Sequence, residues 1–289
     1  MSNMQKIIAF SGRKGAGKNT VASFIGTYFA EKHLLKSLDG QGRHYAILRR
    51  GVEEGYVDVN DPRIIQCLAS DHVFECSFAD KLKEFCIETL GLTHEQCYGS
   101  DAEKNAPTEY DWENAPEFLR WKFGDKFARK LVAEGKTQDE LMTIYFERMG
   151  YRQPSRLVQP RSVEPVFMEG KMTGREIMQI VGTDLNRQTF GNIWAAATLR
   201  MIKKQGKLLS LITDNRFPNE IKAVLDQPGG FIIRLTRSPY GQVDAHPSES
   251  ALDDYDWNRP KCFVLDNAKM TIEEQAEAVK PIFDDILGA

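Results

Sequence analysis

Cysteine is scarce and unpaired in this chain: Cys67, Cys76, Cys86, Cys97 and Cys262 are an odd set with no C-x-x-C spacing. That excludes a disulfide framework or a thiolate zinc site as the organising device, and reduced thiols in a cytoplasmic protein are the expectation. No apolar run approaches the length of a bilayer span, and Met1–Gln5 is too short and polar for a secretory signal, so no membrane partner is expected. The formal net charge is only −3, which gives no broad basic field for indiscriminate binding to duplex nucleic acid. Internal repeats and low-complexity tracts are also missing. What is left is an ordinary globular composition, 42% hydrophobic and 27% charged, over 289 residues. That length suits one large domain or a core carrying a substantial insertion.

Against this plain background, Gly12-Arg13-Lys14-Gly15-Ala16-Gly17-Lys18-Asn19-Thr20 stands out. It matches the phosphate-cradling loop G-x-x-x-x-G-K-[ST] at Gly12, Gly17 and Lys18, with Asn19 where Ser or Thr is usual and the hydroxyl one residue later at Thr20. Such a match counts only between a strand and a helix. Lys6–Ser11 is a short apolar run that reads as a strand buried on both faces. Val21, Phe24, Ile25, Tyr28 and Phe29 then recur on one helical face. Glycines at 12, 15 and 17 let backbone N–H groups close around phosphate oxygens, Arg13 and Ala16 lie within the same cradle, and Lys18 reaches the β- and γ-phosphates. An amide oxygen is a competent ligand for Mg²⁺ or for one of its waters, so Asn19 is a magnesium candidate and Thr20 a phosphate contact.

Further strands are expected at Val73–Ser77, Leu208–Thr213, Phe231–Leu235 and Lys261–Leu265, and helices at Ala79–Leu90, Pro116–Glu134 and Gln138–Met149. Residues 35–72 read as an insertion with a short hairpin around Tyr45–Leu48. From Gly91 to Met172 the strand pattern is lost. The expected organisation is a kinase-like core over 1–92 and 173–289, with a helical lid or substrate-binding insertion over 93–172. Thr173–Glu176 and Thr271–Glu274 have capping-box form and open helices. One helix carries Trp194, Ala197 and Met201, and Ala276, Val279, Phe283 and Ile286 mark the inner face of the last. Asp214 ends a buried strand where a magnesium-directing carboxylate would stand, or where an acidic residue would hold a turn. The fold class is α/β: a three-layer P-loop NTPase fold with a parallel central sheet and a helical insertion.

Five ordered segments resemble the bacteriophage deoxynucleoside monophosphate kinase family. They are Ala16–Thr20, Ser77–Lys83, Thr173–Asp184, Thr213–Glu220 and His246–Glu249, of which Thr-Asp-Asn-Arg-Phe-Pro-Asn-Glu is the most specific. Asn19 and Lys81 depart from the family's aspartate and proline. The resemblance implies transfer of the ATP γ-phosphoryl group, with Mg²⁺, to the 5′-phosphate of a deoxynucleoside monophosphate, in the cytoplasm of a host cell if the chain is phage-encoded.

Two anionic substrates must then be held in line, which calls for cations besides Lys18. Arg175 and Arg216 are the first candidates at the transferring or acceptor phosphate, with Arg187 and Arg237 behind them. Arg237 is also a candidate ATP contact. Asp80, Lys83 and Trp194 are candidates on the acceptor side, although Asp80 reads equally as a helix cap and Trp194 as core. Arg152, Arg156 and Arg161 are candidate lid arginines, and His246 and Glu249 lie in a loop after a strand. A P-loop kinase acting on a hydroxymethylated base within phage DNA is the alternative, and it would make DNA a partner. Which base is accepted, and whether the chain forms a homodimer, stay open in the sequence.

Overall fold

Lys6–Ser11 is buried along its whole length, as a strand covered on both faces must be, and it forms β1 at the centre of a five-stranded sheet. The computed structural model describes residues 5–34, 69, 71–133, 167–185, 191–239 and 251–288. Its described elements divide into two compact units, Met1–Leu82 with Asn186–Ala289, and Lys83–Leu185.

The first unit holds β1, α1 (Lys18–Phe29), β2 (Val73–Cys76), α7 (Ile193–Gln205), β5 (Leu209–Asn215), α8 (Pro218–Leu225), β6 (Gly230–Leu235), β7 (Cys262–Leu265) and α9 (Ile272–Gly288). The strands run in the order β2-β5-β1-β6-β7, all parallel. Side chains alternate across each strand, so one sequence builds two cores. Ile8 and Phe10 join Leu209, Leu211, Phe231 and Ile233 beneath α1 and α9, whose Val21, Ile25, Val279, Phe283 and Ile286 complete that layer. Ile7 and Ala9 face the other way, with Ile212 and Ile232, onto Ala195, Ile202, Ile221 and Val224 of α7 and α8. Each such aliphatic side chain contributes about 1.5–3 kcal/mol when fully buried. The result is a helix–sheet–helix sandwich, the three-layer α/β fold expected from the sequence.

The buried face of α7 is Trp194, Ala195, Thr198 and Ile202, whereas Ala197 and Met201 are only half-buried. In α9 Gln275 is buried at 2% exposure where an all-apolar inner face was expected.

The second unit comprises most of α2 (Asp80–Leu90), then α3 (His94–Tyr98), α4 (Asp101–Lys104), β3 (Pro107–Asp111), α5 (Glu117–Ala133), β4 (Lys171–Thr173) and α6 (Gly174–Gln179). Thr93, Ser100 and Thr173 each cap a helix through a reciprocal capping box. Fully buried Trp112 packs on Phe123, with ring centroids 5.1 Å apart. The expectation that 91–172 lacks strands is corrected here, because β3 pairs antiparallel with β4. Pro-Thr-Glu-Tyr-Asp shows no apolar alternation, and three residues of β4 carry too little pattern to register as a strand. The expected hairpin at Tyr45–Leu48 and helix at Gln138–Met149 lie outside the described residues. No helix among the described residues is long and apolar enough to cross a membrane.

Candidate active site

At the carboxyl end of β1 the chain turns through Gly12–Gly17 and enters α1 at Lys18. Gly17 is the N-cap, with φ 91° and ψ 19°, a left-handed conformation that a side chain disfavours. No side chain caps this helix and its first turn holds no acidic residue, so its leading N–H groups and partial positive charge face an outside anion. Asn19 and Thr20 are exposed in that same turn. The Lys18 side chain folds back over the loop, where its Nζ donates to the carbonyls of Gly12 (2.8 Å) and Arg13 (2.9 Å).

The loop is braced from below. Asn267 Nδ2 donates to the Ala16 carbonyl (2.8 Å) and to Gln275 Oε1 (3.0 Å). A Cβ on Gly17 would lie 3.0 Å from Gln275 Nε2, and one on Gly12 would lie 3.1 Å from the Leu235 carbonyl oxygen. The loop therefore needs glycine for close packing as well as for its turn. Gly17→Ala is expected to destabilise the chain by about 1–2 kcal/mol from the left-handed conformation alone. Thermal melts would read that loss, and an ATP titration would show weakened binding; unchanged melting and affinity would mean that the loop re-forms without glycine.

Burial lowers the Lys18 pKa to about 8, with Arg216 adding to the shift, Asp214 opposing it and Arg234 contributing further. Cations from three strand ends thus share one electrostatic neighbourhood. Arg216 is placed by local chemistry: Pro218 opens α8, and the buried Glu220 carboxylate accepts from the backbone N–H groups of Arg216 (2.8 Å) and Phe217 (3.1 Å). This is what the Arg-Phe-Pro-Asn-Glu run does physically.

Asp214 is committed to the fold. Its two carboxylate oxygens accept from the N–H groups of Phe78 (2.6 Å) and Ala79 (3.1 Å), at the turn leaving β2. Burial pushes its pKa up, while those two N–H bonds and Arg216 pull it down. Asp80 completes the turn by accepting from the Ser77 N–H (2.6 Å) and Ser77 Oγ (2.7 Å). Three successive N–H groups are therefore met by two carboxylates.

Among the described residues no group of three or more His, Cys, Asp or Glu side chains gathers as a metal cage. Mg²⁺ does not need one, since it keeps waters and takes phosphate oxygens as ligands with one or two protein groups. Each Asp214 oxygen retains acceptor capacity beyond its single N–H. Asn215, opposite Ser11 in the β1–β5 register, is fully buried with neither amide atom hydrogen-bonded. An orphaned amide of this kind calls for a water or another polar partner. The side-chain oxygens of Asp214 and Asn19 are of the kind that would hold a magnesium ion entering with a nucleotide.

The remaining sequence candidates are placed differently. Arg237 binds the carbonyl of Asn267 (3.1 Å) and that of Met270, so its guanidinium braces the loop after β7. Trp194 is buried at 8% exposure, which leaves little ring to stack on a base. Arg175 and Lys83 belong to the second unit, where Arg175 pairs with Asp101 (2.6 Å) and the Lys83 ammonium lies 4.2 Å from the centroid of the Tyr98 ring. Arg152, Arg156, Arg161, Arg187, His246 and Glu249 lie outside the described residues. Arg234, Gln275, Asn267 and Asn215 were not singled out by the sequence. Each is a polar letter in a strand, a loop or, for Gln275, the first turn of a helix, and only tertiary contact gives it meaning.

This chain is similar to a protein named as a nucleotide kinase. The relative, from Acanthamoeba polyphaga mimivirus, is named "Putative deoxynucleotide monophosphate kinase" and is 26% identical over 215 residues, covering 69% of this chain and 77% of its own length. No protein-family model matches.

Proposed function

We propose that this chain is a nucleotide kinase that transfers the γ-phosphoryl group of ATP to the 5′-phosphate of a deoxynucleoside monophosphate. The observation that carries the proposal is the loop Gly12–Thr20, set at the carboxyl edge of a parallel sheet with Lys18 folded over it and Arg216 within its electrostatic reach. The mimivirus relative's name points to the same acceptor class.

Phosphoryl transfer asks a protein for positioning and charge neutralisation more than for covalent chemistry. Here the loop N–H groups and the start of α1 hold the phosphate chain. Lys18 exchanges its two carbonyl contacts for phosphate oxygens, and Arg216 supplies a planar donor pair to the group in transfer. A bound Mg²⁺ would offset the negative charge of the phosphates, and Asn19 and Asp214 are the residues that would hold it. Asp214 and Asp80 keep the β2 turn rigid, so that these cations meet the substrates with little rearrangement.

An ADP-release assay across deoxynucleoside and ribonucleoside monophosphates, with DNA as a competing acceptor, tests the reading directly. Acceptor-dependent ADP formation with a free monophosphate is the expected result. Label from ATP entering polymer would instead favour the kinase acting on DNA, and ATP binding without acceptor-dependent turnover would defeat both. Arg216→Ala is expected to raise the KM for the acceptor and lower kcat by about 10²-fold, with ATP affinity little changed. A loss confined to ATP affinity would reassign that arginine.

A further inference from the structure

Beside the P-loop stands a pair of arginines that the mechanism above does not use. Arg13, at a variable position of the loop, is 18% exposed, and its Nη2 donates to Asp253 Oδ2 at 2.7 Å. Arg234 rises from the end of β6, paired in register with Ser11, and its Nη1 donates to Ser11 Oγ at 3.1 Å. Its guanidinium lies 5.1 Å from the centroid of the Trp257 ring, a contact that holds the plane of the fork. Among the described residues no other hydrogen bond or ion pair uses the Arg234 donors. Burial lowers the Arg234 pKa, with Asp253 pulling it up and Arg13 pushing it down, so the three groups act on one another. Arg234 also acts on Lys18.

We propose that Arg13 and Arg234 form a second phosphate-binding subsite flanking the P-loop, and that the Asp253 carboxylate occupies it until a nucleoside triphosphate displaces it. This inference rests on the P-loop reading and adds to it the residues that meet the outer phosphates. A carboxylate oxygen on a guanidinium is the closest side-chain substitute for a phosphate oxygen. Asp253 is one-third exposed, and a half-solvated pair of this kind is weakly held and exchangeable. Arg234 has donors to spare, fixed in direction by Trp257 and Ser11. Among the described residues the carboxylate acting on Lys18 is Asp214, whose oxygens are engaged by two backbone N–H groups. A polyphosphate beside the loop would meet the open Arg234 donors and the exchangeable Arg13.

The test is calorimetric titration of the full chain with ATP, ADP and inorganic triphosphate. Asp253→Asn removes the competing charge and is expected to tighten ATP and triphosphate roughly three- to five-fold, with a smaller gain for ADP. Arg234→Met is expected to weaken both triphosphates by roughly ten-fold or more, ADP less. Should Arg234→Met fail to fold, the surface pair carries the test alone. In that case Asp253→Asn should tighten binding in the wild-type background and give no gain once Arg13→Met is present. Asp253→Asn leaving affinity unchanged or weaker overturns the proposal. So does Arg234→Met binding triphosphate normally while Lys18→Ala does not, an outcome that leaves the P-loop reading intact. A wild-type chain that binds neither ATP nor triphosphate would overturn the functional reading itself.

Discussion

Lys18→Ala is expected to lower the phosphoryl-transfer rate by at least about 10²- to 10³-fold while the chain stays folded. The lysine is buried among cations, its pKa brought down to about 8 by desolvation first and by Arg216 second. Removing it relieves repulsion in the empty site, so the fold has little reason to fail. The transferring phosphoryl group, however, loses the cation whose side chain folds back over the loop. A pH signature accompanies this. The folded pKa lies below the ordinary lysine value of 10.5, so between about pH 8 and 10.5 the folded chain holds fewer protons than the unfolded one. Stability owed to this group therefore rises as pH climbs through that window. Phosphate anions restore the proton: ATP binding near pH 8 should take up about half a proton, since the group is half-titrated there in the free chain. Titration calorimetry in buffers of different ionisation enthalpy measures the uptake, and Lys18→Met should abolish it. Near-normal turnover of Lys18→Ala would remove the loop from the mechanism.

Asp214→Ala should have the largest effect on stability, about 3–5 kcal/mol, because it leaves the N–H groups of Phe78 and Ala79 without their charged acceptor. Asp214→Asn keeps one oxygen but turns an NH₂ group toward the second N–H, so its loss should fall between wild type and alanine. Denaturant melts of the nucleotide-free chain decide the point. If Asp214 only directed magnesium, neither variant would change the metal-free midpoint, and the whole effect would appear in the magnesium dependence of turnover. The backbone contacts predict a less stable chain, and the proposed magnesium role adds a higher magnesium requirement for turnover.

The sequence was legible where a local rule governs the outcome. Strand ends at Ser11 and Leu235, the start of the helix after Gly17, and the capping boxes at Thr173 and Thr271 follow from apolar runs and from side chains that bond their own neighbours. It was less legible where partners are distant. Asp214 was found by position, yet its attachment to Phe78 and Ala79 joins two strands far apart in the chain. Gln275 looked like one more polar letter in a helix until Gly17 was seen resting against it. Arg237 was singled out because it lies beside one of the segments that resemble the kinase family, and Arg234 was passed over. An arginine inside an apolar strand reads as an interruption, although Arg234 is the one whose donors stay open at the sheet's edge.

The strand order β2-β5-β1-β6-β7 also bears on how the chain is made. β1 is translated first and sits in the middle, but its two hydrogen-bonding partners are β5 and β6, so Lys6 waits for Leu209 and Ile7 for Gly230. Until then a largely apolar strand leading into the Gly12–Gly17 loop has both edges unsatisfied on the ribosome. The site cannot nucleate its own assembly, and loop closure over that span is slow. During synthesis the nascent segment 6–11 is therefore the stretch most in need of shielding from other chains.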